Sequence, residues 1–154
     1  MSETLFSEMR FIRQTTFHLV RDLSERQMGK IPDGFPHNIH WNLGHIYVVG
    51  ERFYGRMTNS EPYFPQSIWT YFNPGTAPSN WDAAVPSIEE IISLLKDQLD
   101  RYVSVIPDNL AEPVNNPYTT SSGYTLNTGI EFYRFSFYHE GMHIGIIKSL
   151  KKFV

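Results

Sequence analysis

Cysteine is absent from this chain, which excludes disulfides, thiolate metal ligands and a cysteine nucleophile. Any metal ion would therefore meet nitrogen and oxygen donors, and the lack of disulfides fits a reducing compartment. Basic charge is not in excess either: 13 Lys and Arg against 16 Asp and Glu give a formal charge of −3. That balance disfavours nucleic acid as a partner, because phosphate binding needs a basic face. The basic cluster that does occur, Lys148, Lys151 and Lys152, sits where a helix C-terminus favours cations. No apolar run approaches the roughly 18 residues of a membrane span. Met1-Ser2-Glu3-Thr4 is polar and acidic rather than a positively charged leader. A soluble cytoplasmic protein with no membrane partner is expected. At 154 residues the chain is expected to form a single domain over 1–154, burying about two-thirds of its unfolded surface.

Strand-like alternation is also missing, whereas helical periodicity is plentiful. Leu5, Met9, Ile12, Thr16, Leu19 and Leu23 recur at spacings of four and three, predicting a first helix over roughly residues 3 to 27, ended by Gly29, Pro32, Gly34 and Pro36. Asn38 is a good N-cap for a second helix reaching about Thr58, with Leu43, Ile46, Val49 and Phe53 on its apolar face. Ser87 followed by Glu90 reads as a capping box for a third, carrying Ile88, Ile91, Leu95, Leu99, Tyr102 and Ile106 until Pro107 stops it. Thr128 and Glu131 form another such box at the head of a fourth. The predicted fold class is all-α, a four-helix bundle with two long connections. One connection, residues 59 to 86, is rich in proline and aromatic residues, and its length suits a lid, a pocket wall or a crossover packed on the bundle. Residues 107 to 126 form the second.

The fourth helix carries His139-Glu140-Gly141-Met142-His143. Residues four apart share a helix face, so two imidazoles can reach one ion at about 2.0 to 2.1 Å. Six histidines would produce such a pair by accident in roughly one chain in five. The setting adds weight: Phe132, His139, His143, Ile146, Ile147 and Leu150 fall on one arc, opposite Arg134, Gly141, Lys148 and Lys152. Two inward-pointing imidazoles without a partner would leave several polar nitrogens unsatisfied. The spelling H-E-x-x-H also matches zinc proteases, where the Glu is the general base. That reading fails, because no His, Asp, Glu or Cys lies between His143 and Val154 to serve as the usual downstream ligand. Glu140 projects about 100° from His139, towards the edge of the buried arc, and is expected to make a surface contact or to support a ligand.

A third ligand must come from upstream. His18 lies with Gln14, Arg21 and Asp22 on the polar side of the first helix and reads as solvated. His37 and His40 lie at or before the start of the second helix, while His45 is well inside it on a stripe with Trp41 and Val48, near Arg52. Periodicity alone leaves these three open.

The string Ile39-His40-Trp41-Asn42-Leu43-Gly44-His45-Ile46, taken with His139-Glu140-Gly141-Met142-His143 and the trailing Ile144-Gly145-Ile146, resembles the W-x-x-x-H segment and the H-x-x-x-H pair of the DinB-like, or YfiT-like, metalloenzymes. The resemblance covers essentially the whole chain. It implies a divalent metal inside a four-helix bundle, with His45, His139 and His143 as ligands. Some relatives resemble thiol-dependent S-transferases, in which a low-molecular-weight thiol such as bacillithiol is activated on the metal. Residues 59 to 86 fit the family pattern least, so substrate preference does not carry over.

Three imidazoles and an open position make a catalytic ligand set. Zinc or nickel is expected, and iron is also suited to imidazole. The expected function is a metal-dependent enzyme acting on a small-molecule substrate, as a thiol-dependent S-transferase whose thiol is a co-substrate. The alternatives are metal-assisted hydrolysis, or a non-enzymatic bundle that binds metal for stability or sensing and uses its aromatic connection as a dimer contact. A homodimer is the expected assembly, and no general base beyond the metal centre is identified.

Overall fold

The computed structural model describes residues 2–104 and 110–154. These are mostly helical: α1 (Ser2–Val20), α2 (Glu25–Gly29), α3 (Ile39–Thr58), α4 (Gln66–Phe72), α5 (Ile88–Ser104) and α6 (Gly129–Leu150), with β1 (Pro113–Thr119) and β2 (Thr125–Thr128) between the last two helices. Helix α3 lies against α5 and α6, and α1 lies against the same two. Among the described residues no helix is long and apolar enough to cross a membrane.

The local chemistry explains most boundaries. The Asn38 side chain accepts from the Trp41 N–H at the start of α3. Thr128 and Glu131 form the complete reciprocal box at the head of α6. Ser87 Oγ accepts from Glu90 N at the head of α5, the backbone half of the expected box. Ile106 and Pro107, expected at the end of that helix, lie outside the described residues.

The structure corrects the predicted secondary structure in three places. The first helix does not run to residue 27: α1 ends at Val20 and a separate short α2 begins after Ser24, whose side chain accepts from Gln27 N in a second capping box. A local cap competes successfully here with continuation of the helix. The chain is also not purely helical, because β1 and β2 pair antiparallel, with Tyr118 opposite Leu126 and Thr119 opposite Thr125. Pro113, Pro117 and two asparagines hide β1 from propensity, and packing holds the hairpin instead: Val114 and Leu126 are buried among Phe53, Phe132 and Tyr133. Finally, the aromatic connection contains α4, which buries Ile68 and Phe72 against α3.

Helix α3 is the centre of the molecule, with every residue from Asn38 to Glu51 buried. Close approach on more than one side requires small residues at the contacts. At Gly44 an added Cβ would lie 2.2 Å from the Phe72 ring, and at Gly50 it would lie 2.8 Å from the Gln98 amide. The first contact brings α4 and its carbonyls beside the middle of α3.

Candidate metal centre

His45 enters the interior from α3, and His139 and His143 enter from α6. Ring centroids are 5.0 Å apart for His45–His143, 5.4 Å for His45–His139 and 4.6 Å for His139–His143. One nitrogen of each ring lies within 4.8 Å of the corresponding nitrogens of the other two. A tetrahedral ion at about 2.0 to 2.1 Å would draw such nitrogens to roughly 3.3 Å of one another, which is within reach of small side-chain rotations.

Neighbours fix the direction in which two of the rings present their lone pairs. His45 Nδ1 lies 2.8 Å from the Phe72 carbonyl, which only accepts, so Nδ1 carries the proton and Nε2 is left unprotonated. Asn42 Nδ2 donates to the Asn38 carbonyl at 2.7 Å. Its Oδ1 is thereby turned to accept from His143 Nδ1 at 2.7 Å, leaving His143 Nε2 free as well. An outer hydrogen bond of this kind sets the tautomer and orientation of a metal-binding histidine. His45 is also stacked on Trp41 at 4.4 Å, and Trp41 on His37 at 3.6 Å.

The cluster is uncharged at neutral pH. Burial, followed by His143 and His45, pushes His139 down to about 2. Burial, followed by His45 and His37, pushes His143 down to about 3. Burial also holds His45 below its ordinary value, against the opposing effect of the Phe72 carbonyl. Neutral imidazole is the form that binds a metal ion.

The other sequence candidates are placed elsewhere. His18 is exposed. The Nε2 of His37 contacts the Thr76 carbonyl at 3.1 Å. Buried His40 contacts the Pro86 carbonyl at 2.9 Å and meets Trp81 edge-on. Ile146, expected on the buried arc, is 36% exposed and lines a cleft instead.

Glu140 needs the largest correction. It is neither at the surface nor at an edge, but 3% exposed. Arg13 donates to its carboxylate from Nε at 2.9 Å and from Nη2 at 3.1 Å, and Thr16 Oγ1 donates to it at 2.7 Å. Arg13 also donates to the Leu95 carbonyl and to Gln98 Oε1, and Gln98 Nε2 donates to Glu51, which pairs with Arg101. Glu140 is therefore engaged with α1, on the flank of α6 about 100° from His139. The pairing holds this flank of α6 against α1, and it leaves no carboxylate free to act as a protease base. Nothing in the local sequence signalled Arg13, which lies 127 residues away.

Among the described residues two broad clefts reach the histidines. One, of about 580 Å³, is lined by His45, His139, Arg52, Arg56 and Tyr138, with Ser121 and Ser122 of the hairpin turn. The other, of about 610 Å³, is lined by Trp41, His143, Phe35, Ile146 and the same His45 and His139. Pro74, from the aromatic connection, lines the first, so that segment forms part of a pocket wall.

Comparison with known proteins places this geometry. The sequence model of the DinB superfamily matches residues 8–147. No curated protein matches the chain. Among solved structures, a conserved protein from Enterococcus faecalis superposes with a TM-score of 0.67 at 13% identity, covering 100% of this chain and 96% of that one. At that identity the likeness concerns the fold alone.

Proposed function

This chain belongs to the DinB superfamily, and we propose that it is a metal-dependent enzyme built on a four-helix bundle, with His45, His139 and His143 as the protein ligands of one divalent ion. The observation that carries the reading is the convergence of three neutral imidazoles within 4.8 Å, two of them oriented by Phe72 O and Asn42 Oδ1. A structural zinc site normally has four protein ligands, whereas three leave a position open. The donor set suits zinc or nickel.

When bound, such an ion supplies Lewis acidity, lowering the pKa of a water or thiol that shares its open position. The reaction we assign is transfer of a low-molecular-weight thiol to a small electrophile. The S–H proton is lost to solvent, an S–C bond forms, and the leaving group departs with its electron pair. A chain without cysteine takes that thiol from a co-substrate. The two clefts that meet at His45 and His139 give two reactants separate approaches. Phe53, edge-on to His139 at 6.1 Å, and Trp41 form apolar walls that limit water at the centre.

The test uses cobalt-substituted protein, a low-molecular-weight thiol and monobromobimane. A new sulfur-to-metal charge-transfer band on adding thiol is expected, with faster bimane labelling that chelation abolishes. An unchanged spectrum with exchangeable water still visible would replace thiol transfer with metal-assisted hydrolysis. A saturated coordination shell would indicate a structural or sensing role.

A further inference from the structure

Helix α3 continues past His45 with Arg52 and Arg56. At 100° per residue the offsets of 7 and 11 place both arginines within about 20° of His45 around the helix, at roughly 10 and 16 Å along its axis. Helical side chains lean towards the N-terminus, so Arg52 reaches back towards the histidines. Both arginines are half-buried and line the cleft that also contains His45 and His139.

Their partners differ. Arg56 donates to the carbonyls of Asn116 and Pro117 at 2.7 and 3.1 Å and lies over Tyr118, so part of its role is to hold the hairpin. Arg52 lies over the Trp69 ring, 5.6 Å from its centroid. Among the described residues its guanidinium has neither an ion-pair partner nor a protein hydrogen bond. A guanidinium offers five donors in a fixed fork that matches a carboxylate or a phosphate. Thr120, Ser121 and Ser122 bring hydroxyls to the same cleft, whereas Phe135 and Tyr138 give it apolar wall. Glu61 is the acidic residue nearby, lining an adjoining polar recess that both arginines share.

We propose that this cleft binds a small organic anion, its carboxylate or phosphate held by the Arg52 fork with Arg56 beside it, and its apolar body running along α3 towards His45 and His139. A charged end within about 10 Å of the reacting atom would fit that spacing, because the Arg52 side chain leans back from its backbone position. Placing the reacting end at the histidines rests on the metal chemistry proposed above; the anion site is tested without it.

The experiment titrates the chelated protein with hexanoate, hexyl phosphate and neutral hexanamide, followed by ligand-observed NMR. At least one anion should bind tenfold or more tightly than hexanamide and weaken as salt is raised. The tighter of the two identifies carboxylate or phosphate as the preferred group. Arg52→Gln should remove the preference for anion over amide and leave hexanamide binding unchanged, which shows that the cleft is intact. Arg52→Lys should retain part of the preference. Equal binding of anions and amide, or an anion affinity within twofold of the parent in Arg52→Gln, would overturn the proposal. Because no metal is present in the titration, its outcome is separate from that of the metal-centre test.

Discussion

Replacing Glu140 with glutamine keeps the side-chain shape and removes its charge. The carboxylate accepts three hydrogen bonds, two from Arg13 and one from Thr16, and the two ion-pair side chains are 2% and 4% exposed. Without the carboxylate, the Arg13 guanidinium remains buried with neutral acceptors alone, Gln98 Oε1 and the Leu95 carbonyl. Breaking a buried pair from one side costs about 3–5 kcal/mol, and the amide oxygen that remains places Glu140→Gln near the lower end, about 3 kcal/mol. For a chain of this size that corresponds to a Tm lower by roughly 6–12 °C, a large share of a typical stability of about 5–15 kcal/mol. Urea unfolding of the chelated protein measures the loss. Adding Arg13→Met to the variant should cost at least 1 kcal/mol less than the same change in the parent, because the pair is already broken. The Glu140 side chain is committed to α1, so the folded variant should still bind metal. A loss below about 1 kcal/mol, or strict additivity of the two substitutions, would refute the view that this pair anchors α6.

Three further outcomes follow from the geometry. Asn42→Ala removes the acceptor that orients His143 and should weaken metal affinity about 10–100-fold, measured by competition with a chromophoric chelator. Gly44→Ala places a methyl 2.2 Å from the fully buried Phe72 ring; it should cost about 1–3 kcal/mol by overpacking and also weaken the metal, since the Phe72 carbonyl holds His45. Burial lowers His40 from 6.5 to about 4 against the opposing Pro86 carbonyl, so between those values the unfolded chain binds more protons than the folded one. Its contribution is complete above pH 6.5 and is lost as pH falls towards 4, by about 3 kcal/mol; His40→Gln should flatten the pH dependence of the urea midpoint over that window.

Much of the helical framework was legible because its signals are local. Asn38, Ser24 and Thr128 each cap the residues that immediately follow them, and the spacing of Ile88, Ile91 and Leu95 needs no tertiary context. Ser24 is the least legible of the three, since the apolar spacing through Leu23 suggests an unbroken helix. The β-hairpin was hidden by prolines and asparagines that packing overrides. At the site, His139 and His143 were visible as a spaced pair, whereas His45 could not be separated from His37 and His40 by periodicity, because α3 is buried on nearly every side. Family resemblance made that choice, and the structure brings the same three rings together. The Phe72 carbonyl, Asn42, Arg13 and the buried position of Glu140 were out of reach, because each depends on a partner distant in sequence: 27 residues for Phe72 and His45, 101 for Asn42 and His143, and 127 for Arg13 and Glu140.

The central claim is that these three imidazoles hold an ion, and elemental analysis tests it most directly. Protein purified without a histidine tag, exposed to zinc or nickel and then desalted, should carry about one ion per chain; His139→Ala and His143→Ala should fall to near zero, His45→Ala should lose most of its metal, and His18→Ala should match the parent. A parent chain that emerges without metal, or a His139→Ala protein that keeps a full equivalent, would contradict the account.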